Sequence, residues 1–167
     1  MGRREQQCDV HKNRDSEAQV MYRKILIATD GSPISRKAVR QGVAFAKRVG
    51  AKVIGFFSPP DYRVMLYSEF VPPIVVTERQ FQEQSRKAAE KQLYFVEKTA
   101  KAARVPYEGC YEPSVVPWQA IIDAAQKKKC DLIVMGSHGR SGIAGLVLGS
   151  QTNKVLTHSK IPVLVTH

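Results

Sequence analysis

Two stretches of this chain carry residue types that suit the binding of an anionic ligand. The segment GSHGRSGIAGLVLGSQ, residues 136–151, contains five glycines, a histidine and an arginine, with no acidic residue. The stretch ATDGS, residues 28–32, places Asp30 beside a turn. Glycines let backbone approach a ligand closely, and the free N–H groups at a helix start attract negative charge. The glycine-rich segment therefore predicts a site for an anion with several oxygens.

Individual positions of the glycine-rich segment have predicted tasks. Gly136 admits the close approach of a ligand, and Gly139 permits a turn with positive φ. Gly149-Ser150 stands at the start of a helix whose N–H groups face the anion. The Ser150 hydroxyl acts either as the helix N-cap or as a donor to a phosphate. Two side chains are available for charge-assisted contacts, namely His138 and Arg140.

Neither common phosphate-binding loop matches this segment. A P-loop needs a lysine in a G-K-[ST] pattern, which is absent at Gly149, and G-x-G-x-x-G is absent too. Ordinary interpretations also exist: a flexible connector for the segment, a turn acid for Asp30, and an exposed loop side chain for His138. The choice depends on how the surrounding elements place these residues.

An alternation of strand and helix patterns positions both stretches. Continuous apolar runs are typical of strands buried on both faces, and apolar residues at helical spacing lie between them. Five strands with helical crossovers predict an open parallel α/β sheet with helices on both faces. The predicted strands are residues 24–30, 52–58, 105–112, 130–136 and 161–166, and the predicted helices are residues 35–50, 77–104, 117–129 and 150–159.

The strand ends decide where a ligand is expected. In open α/β sheets, ligands bind beyond the carboxyl ends of the strands, where the strand order reverses. Ala28-Thr29-Asp30 ends the first strand, and Met135-Gly136 ends the fourth. If these two strands are neighbours, the acid and the glycine-rich segment meet at one crevice, which favours binding over a passive connector.

The remaining sequence is consistent with one domain. A length of 167 residues suits a single core. Residues 1–20 are polar and lack periodicity, so they are predicted to be a disordered extension before a single domain over residues 21–167. Residues 59–76, with prolines near both ends, are predicted to form a surface excursion. The expected core positions of the long helix are Phe81, Ala88, Leu93, Phe95 and Val96.

The composition indicates the cellular compartment of the protein and the classes of ligand that it could bind. No apolar run is long enough for a membrane span, and the first residues have no signal-peptide pattern. The three cysteines are far apart and odd in number, which predicts reduced thiols in a cytoplasmic protein. The net charge of +11 suits nucleic acid, anionic lipid or phosphorylated small molecules. No nucleic-acid-binding motif accompanies it, so a generally basic surface is favoured over a nucleic-acid role.

The glycine spacing also resembles that of a known family. Gly136-x2-Gly139-x9-Gly149-Ser150 is similar to the G-2x-G-9x-G-(S/T) signature of ATP-binding universal stress proteins. KILIATDGSPIS and GSQTNKVLTHSKIPVLV resemble the same family, and the similarity extends over residues 22–167. The resemblance implies a Rossmann-like fold of the adenine nucleotide alpha hydrolase type with strand order 3-2-1-4-5. That order makes the first and fourth strands neighbours.

The resemblance further implies a ligand and its contacts. ATP is expected with its adenine near Ser58, where two prolines stand in place of the family's frequent His-Val pair. Ribose and metal-linked phosphate contacts are expected near Asp30, with Mg²⁺ bridging phosphate oxygens. The phosphates are expected at the glycines, Ser150 and Gln151. The full predicted site comprises Ala28, Thr29, Asp30, Ser58, Met135, Gly136, His138, Gly139, Arg140, Gly149, Ser150 and Gln151.

The last strand and the lack of a catalytic motif lead to predictions about assembly and activity. The resemblance implies a homodimer that pairs the last strands, residues 161–166, and an apolar edge strand needs such cover. It implies a nucleotide-dependent stress-response regulator with protein partners of unknown identity. No catalytic triad pattern or paired carboxylates are visible, which favours at most slow ATP hydrolysis or autophosphorylation. The alternatives are an α/β nucleotide hydrolase or phosphatase, and a basic module that binds nucleic acid.

Overall fold

The computed structural model describes residues 22–61, 77–139 and 148–167, and within them strands alternate with helices as predicted. The predicted extension at residues 1–20, most of the predicted excursion at residues 59–76, and Arg140 lie outside the described residues. The strands are β1 (Lys24–Ala28), β2 (Lys52–Phe57), β3 (Tyr107–Tyr111), β4 (Leu132–Gly136) and β5 (Val163–Thr166), and the helices are α1 (Pro33–Val49), α2 (Glu78–Ala103), α3 (Pro117–Lys127) and α4 (Ser150–His158).

The strands form one parallel sheet in the order β3-β2-β1-β4-β5, which confirms the predicted order. β1 and β4 are neighbours, with Ile25 opposite Leu132 and Ile27 opposite Val134. The Asp131 carboxylate reinforces this pairing by accepting the N–H groups of Arg23 and Lys24 at the start of β1. The carboxyl ends of β1 and β4 therefore lie side by side, as the crevice prediction requires.

The core has two layers, one on each face of the sheet. Ile25 and Ile27 pack with the α1 and α2 side, whereas Leu26 packs with the α3 and α4 side, and all three are fully buried. A strand buried on both faces has no polar side to alternate with, which explains the continuous apolar run of β1. Within the described residues, no helix has the length and apolar character needed to cross a membrane.

Local sequence signals fix the ends of the first two helices. Ser32 caps α1 by accepting the N–H of Ser35, so the helix begins before the predicted residue 35, and Gly50 ends it with a φ of 71°. Thr77 and Gln80 form a capping box at the start of α2.

The core positions predicted for α2 were partly wrong. Val96 is fully buried, and Phe81, Leu93 and Phe95 are half-buried, but Ala88 is exposed. The buried stripe instead uses small residues, because α2 packs closely against β2 and β3. Its members are Ser85, Ala89, Val96 and Ala100.

One carboxylate ties the sheet edge to α3. Glu108 in β3 pairs with Lys52 in β2 at 2.6 Å and with Lys128 after α3 at 2.7 Å. These two lysines lower the pKa of Glu108 to about 2. Because the folded-state pKa lies below the ordinary value of 4.5, the carboxylate stabilises the fold above pH 4.5. That contribution is lost as the pH falls towards 2.

Glu108→Gln is expected to lower the free energy of unfolding at pH 7 by about 1 kcal/mol or less, since the pair is partly exposed and screened. Urea unfolding at several pH values would measure this. The difference from the wild type should shrink below pH 4.5, and a pH-independent difference would contradict the pairing argument. Glu112→Gln, which removes a pair with Lys127 alone, should have a smaller effect.

Candidate functional site

A cleft of about 770 Å³ opens at the carboxyl ends of β1, β2 and β4. Its volume lies within the range of small-molecule sites, and its position is the one expected for an open α/β sheet. Eleven of the twelve predicted site residues line it, and the twelfth, Arg140, lies outside the described residues. The eleven are Ala28, Thr29, Asp30, Ser58, Met135, Gly136, His138, Gly139, Gly149, Ser150 and Gln151.

Asp30 is both a turn acid and a residue of the cleft. Its Oδ1 accepts the N–H of Ser32 at 3.0 Å, which supports the turn from β1 into α1. Gly31 supplies the positive φ of that turn, 80°. A Cβ at Gly139 would lie 2.9 Å from Asp30 Oδ2, so the second oxygen faces bare backbone after β4. The two predicted stretches therefore meet at one edge of the cleft.

Three contacts fix the start of α4 against the end of β4. The N–H of Gly149 donates to Ser137 O at 2.8 Å, and the buried Thr152 hydroxyl donates to Gly136 O at 2.9 Å. A Cβ at Gly149 would lie 3.3 Å from Ser137 O and from the Cα of His138. The helix start is therefore held against the strand end by two hydrogen bonds, and the backbone around Gly149 leaves little room for a side chain.

The start of α4 presents free donors to the cleft. Gly149 is the N-cap residue of α4, and no side chain caps the helix start. Ser150 is the first helical residue, so the N-cap role predicted as one alternative for Ser150 is wrong. In the described parts of the chain, the N–H groups of Ser150, Gln151 and Thr152 have no protein acceptor. All three residues line the cleft. Unsatisfied N–H groups at the positive end of a helix dipole form a site for an anion.

The structure contradicts the predicted conformation of Gly139 and shows which side chain lies against Gly136. Among the described residues, the glycines with positive φ are Gly31 and Gly50, so the positive φ predicted for Gly139 is wrong. A Cβ at Gly136 would lie 2.9 Å from Ile34 Cγ2. Gly136 thus makes room for the start of α1 and is required by packing within the protein.

Gln151 connects α4 to α3. Its side-chain Oε1 accepts the N–H of Trp118 at 3.0 Å, and this supplies the acceptor that the N-cap residue Val116 lacks. Trp118 is half-buried, and its ring lies on His158 with 4.6 Å between centroids. The side-chain amide oxygen of Gln151 is therefore engaged within the protein, which leaves its backbone N–H for a ligand.

The opposite wall of the cleft is apolar and was not predicted as part of the site. The Ser58 hydroxyl donates to Glu112 O at 3.0 Å, so it holds the end of β2 to the end of β3. The segment after β3 then borders the cleft, with Val115 52% exposed. The available sequence signal was the pair Val115-Val116, two apolar residues shortly after the predicted third strand. The wall comprises Phe56, Phe57, Pro60, Ser114, Val115, Pro117 and Ile121.

The cleft combines a donor-rich end with an apolar end. The first holds the start of α4, the Asp30 carboxylate and His138, whose Nδ1 lies 3.1 Å from Ser137 Oγ. Among the described residues, no group of three or more His, Cys, Asp or Glu side chains is arranged to hold a metal ion. This arrangement suits a ligand that joins a multiply charged anion to a flat apolar group.

Comparison with known proteins gives one consistent result. The family model for the universal stress protein family matches residues 21–167. A universal stress protein of Methanocaldococcus jannaschii is 33% identical to this chain, in an alignment that covers 87% of this chain and 82% of the relative. A universal stress protein of Thermus aquaticus is 32% identical, in an alignment that covers 87% of this chain and 98% of the relative.

Solved structures share the fold. The superposition with the structure of hypothetical protein MJ0577 covers 87% of this chain and 96% of that protein's chain, with 26% sequence identity and a TM-score of 0.73. A universal stress protein solved in complex with cAMP covers 88% of this chain and 98% of its own, with 26% identity and a TM-score of 0.63.

Proposed function

The chain belongs to the universal stress protein family, and on this premise we propose that it is a regulatory protein that binds ATP with Mg²⁺ in the cleft. The observation that carries the proposal is the start of α4. Three N–H groups that have no acceptor among the described residues, on Ser150, Gln151 and Thr152, line the same cleft as Asp30. Such a start attracts phosphate oxygens without the lysine of a P-loop.

The phosphates belong at the donor-rich end. The N–H groups of α4 bind the phosphate oxygens, and His138 lies beside them. Mg²⁺ fits this site through phosphate oxygens and water, because Mg²⁺ usually keeps several waters and takes few protein ligands. Asp30 is the carboxylate placed to accept from that hydration shell or from the ribose. When bound, the metal neutralises phosphate charge.

The adenine belongs at the apolar end. The wall between Phe57 and Pro117 provides a flat apolar surface, and backbone groups near Ser58 are available to read the base edge. The relative solved with cAMP is a universal stress protein with an adenine nucleotide ligand, which supports this class of ligand for the chain. Because the Ser58 hydroxyl already donates to Glu112 O, we assign the contact with the base to backbone groups near Ser58.

A binding role accords with the chemistry of the cleft. A hydrolase needs a base positioned on an attacking water. Asp30 already accepts the N–H of Ser32, and His138 lies against Ser137. These contacts position both groups within the protein. We therefore assign the cleft to nucleotide-dependent regulation, with at most slow hydrolysis.

Calorimetric titration of the purified protein with ATP and Mg²⁺ tests the proposal. We expect saturable binding of one nucleotide per chain, weakened when adenosine replaces ATP because the contacts at α4 are lost. A second readout is the fluorescence of Trp118, the single tryptophan, whose backbone N–H donates to the side chain of the cleft residue Gln151. The absence of binding by ATP, ADP and cAMP would overturn the proposal.

We further propose that the functional unit is a homodimer joined through β5. This strand lies at the edge of the sheet and pairs with β4 alone among the described strands. Its Leu164 is 39% exposed, although an apolar edge strand favours pairing or cover.

Leu164→Lys is expected to convert the dimer into a monomer, because a charge on the paired edge strand opposes association. Sedimentation velocity at micromolar protein measures the change. Leu156→Lys is the matched control, since Leu156 is 40% exposed on α4. Equal sedimentation of the wild type and Leu164→Lys would contradict the β5 interface.

A further inference from the structure

A basic face lies on the side of the sheet opposite α3 and α4. Helix α1 carries five basic residues and no acidic residue, so it supplies nearly half of the net charge of +11. All five side chains are exposed. In the parts of the chain that the structure describes, none of them lies within ion-pair distance of a carboxylate. The five are Arg36, Lys37, Arg40, Lys47 and Arg48.

Helical geometry places these cations on one side of α1. At 100° per residue they fall within about 120° of the helix circumference, and they extend over about 18 Å of its axis. Arg36 and Arg40 point towards α2, where both guanidinium groups lie over the ring of Phe95, at 5.3 and 5.9 Å from its centroid. The cationic row of α1 therefore continues onto α2.

Helix α2 extends the face with an aromatic ring. Lys91 and Lys98 lie one turn on either side of Phe95, and both are exposed. Tyr94, beside them, is 62% exposed. The acidic residues that flank Tyr94 are already paired, Glu90 with Arg86 and Glu97 with Lys101. Their charges are thus balanced within α2, and those of Lys91 and Lys98 are not.

We propose that this surface binds single-stranded nucleic acid. We call it the α1–α2 basic face and define it by Arg36, Arg40, Lys47, Lys91, Lys98, Tyr94 and Phe95. Its cations suit a phosphate backbone, and an exposed ring between them is a stacking platform for a base. Total charge alone did not favour this role. The fold adds the missing information, because it gathers on one face, around aromatic rings, cations that have no carboxylate partner among the described residues.

Single strands match this face better than other polyanions. A duplex presents no unstacked base to Tyr94, and an acidic peptide offers no planar ring to stack on it. The guanidinium groups over Phe95 have the arrangement that also stacks on bases. The face is distinct from the nucleotide cleft, since none of its residues lines that cleft.

Fluorescence anisotropy of a labelled oligouridine, long enough to span both helices, tests the proposal. We expect salt-dependent binding by the wild type. Arg36→Gln combined with Arg40→Gln should weaken it about tenfold or more and reduce the salt slope by about 1.4, since each lost phosphate contact on a single strand removes about 0.7. Tyr94→Ala should weaken binding about fivefold or more while the slope stays unchanged, because stacking releases no counterions.

Control variants distinguish oligouridine binding at the α1–α2 basic face from binding that depends on net charge alone or on the nucleotide cleft. Lys127→Gln combined with Lys154→Gln removes the same charge from α3 and α4, across the sheet, and should change affinity less than twofold. Gly149→Val should leave oligouridine binding intact. Equal losses in both double variants, no binding at low salt, or preferential binding of polyglutamate or phosphatidylserine vesicles would each overturn the proposal.

Discussion

Gly149→Val is expected to lower the affinity for ATP at least about tenfold, equivalent to about 1.4 kcal/mol, while affinity for adenosine stays within about twofold. A Cβ at this position would lie 3.3 Å from Ser137 O and from the Cα of His138. Both contacts are backbone atoms, which cannot rotate away. The start of α4 must therefore move from the end of β4, and its N–H groups lose their position at the phosphates.

The backbone of Gly149 does not itself require glycine. Its φ of −69° and ψ of 153° are open to any residue, so the expected loss comes from contact and not from strain. Gly149→Ala, with a smaller side chain, should give a smaller loss of ATP affinity. Gly149→Val should also retain its N-cap geometry within a shifted helix, and far-ultraviolet circular dichroism checks that the fold persists.

Comparison of the two ligands makes the experiment selective. Adenosine lacks the phosphates, so its affinity reports only the apolar end of the cleft. Thr157→Ala, an exposed substitution in the last turn of α4, should affect neither ligand. Equal losses for ATP and adenosine would contradict the assignment of the phosphates to the start of α4.

The sheet and its switch point could be predicted because strong signals coincide there. Apolar runs with helical segments between them define parallel strands, and β1 shows the pattern of a strand buried on both faces. The strand order came from the family resemblance. Once β1 and β4 are neighbours, Asp30 and Gly139 must meet at one edge.

The predictions that failed depend on tertiary contacts. The positive φ predicted for Gly139 is absent, and the close contact of Gly136 with Ile34 does not follow from spacing within the loop. In α2, the periodicity indicated Ala88, but the neighbouring Ala89 is the buried residue. Half-burial of Phe95 reflects the two arginines above it, which belong to another helix.

The apolar wall escaped prediction for a related reason. Val115 lies in an irregular segment, where neither helical nor strand periodicity indicates which side chain faces a ligand. Its place at the cleft depends on the bond from Ser58 to Glu112 and on the bond from Ser114 N–H to Pro59 O. Such loop-to-loop bonds become visible only when β2 and β3 are placed side by side.

Gly42→Leu is expected to destabilise the fold by about 2 kcal/mol or more, with a fall in melting temperature of about 4–8 °C. Gly42 lies where α1 crosses β1 and β4. A Cβ there would lie 2.8 Å from Ile27 Cδ1 and 3.1 Å from Val134 Cγ1. Both neighbours are fully buried, so neither can yield space without disturbing the core.

Two opposing effects act at Gly42. Replacing a glycine within a helix favours the helix by up to about 1 kcal/mol. Overpacking of a close-packed core costs about 1–3 kcal/mol, occasionally more, and the outer atoms of leucine add to the overlap that Cβ already creates. Overpacking therefore exceeds the gain in helix propensity, and α1 must lift from the sheet.

Urea unfolding of matched variants separates the two effects. Gln41→Leu adds the same side chain at the neighbouring exposed position and should change stability by less than about 0.5 kcal/mol. Ile27→Ala should cost less in the Gly42→Leu background than in the wild type, because it opens the space that leucine needs. If Gly42→Leu were as stable as Gln41→Leu, the seam between α1 and the β1–β4 pair would not be close-packed. The geometry that joins Asp30 to the glycine-rich segment would then need another support.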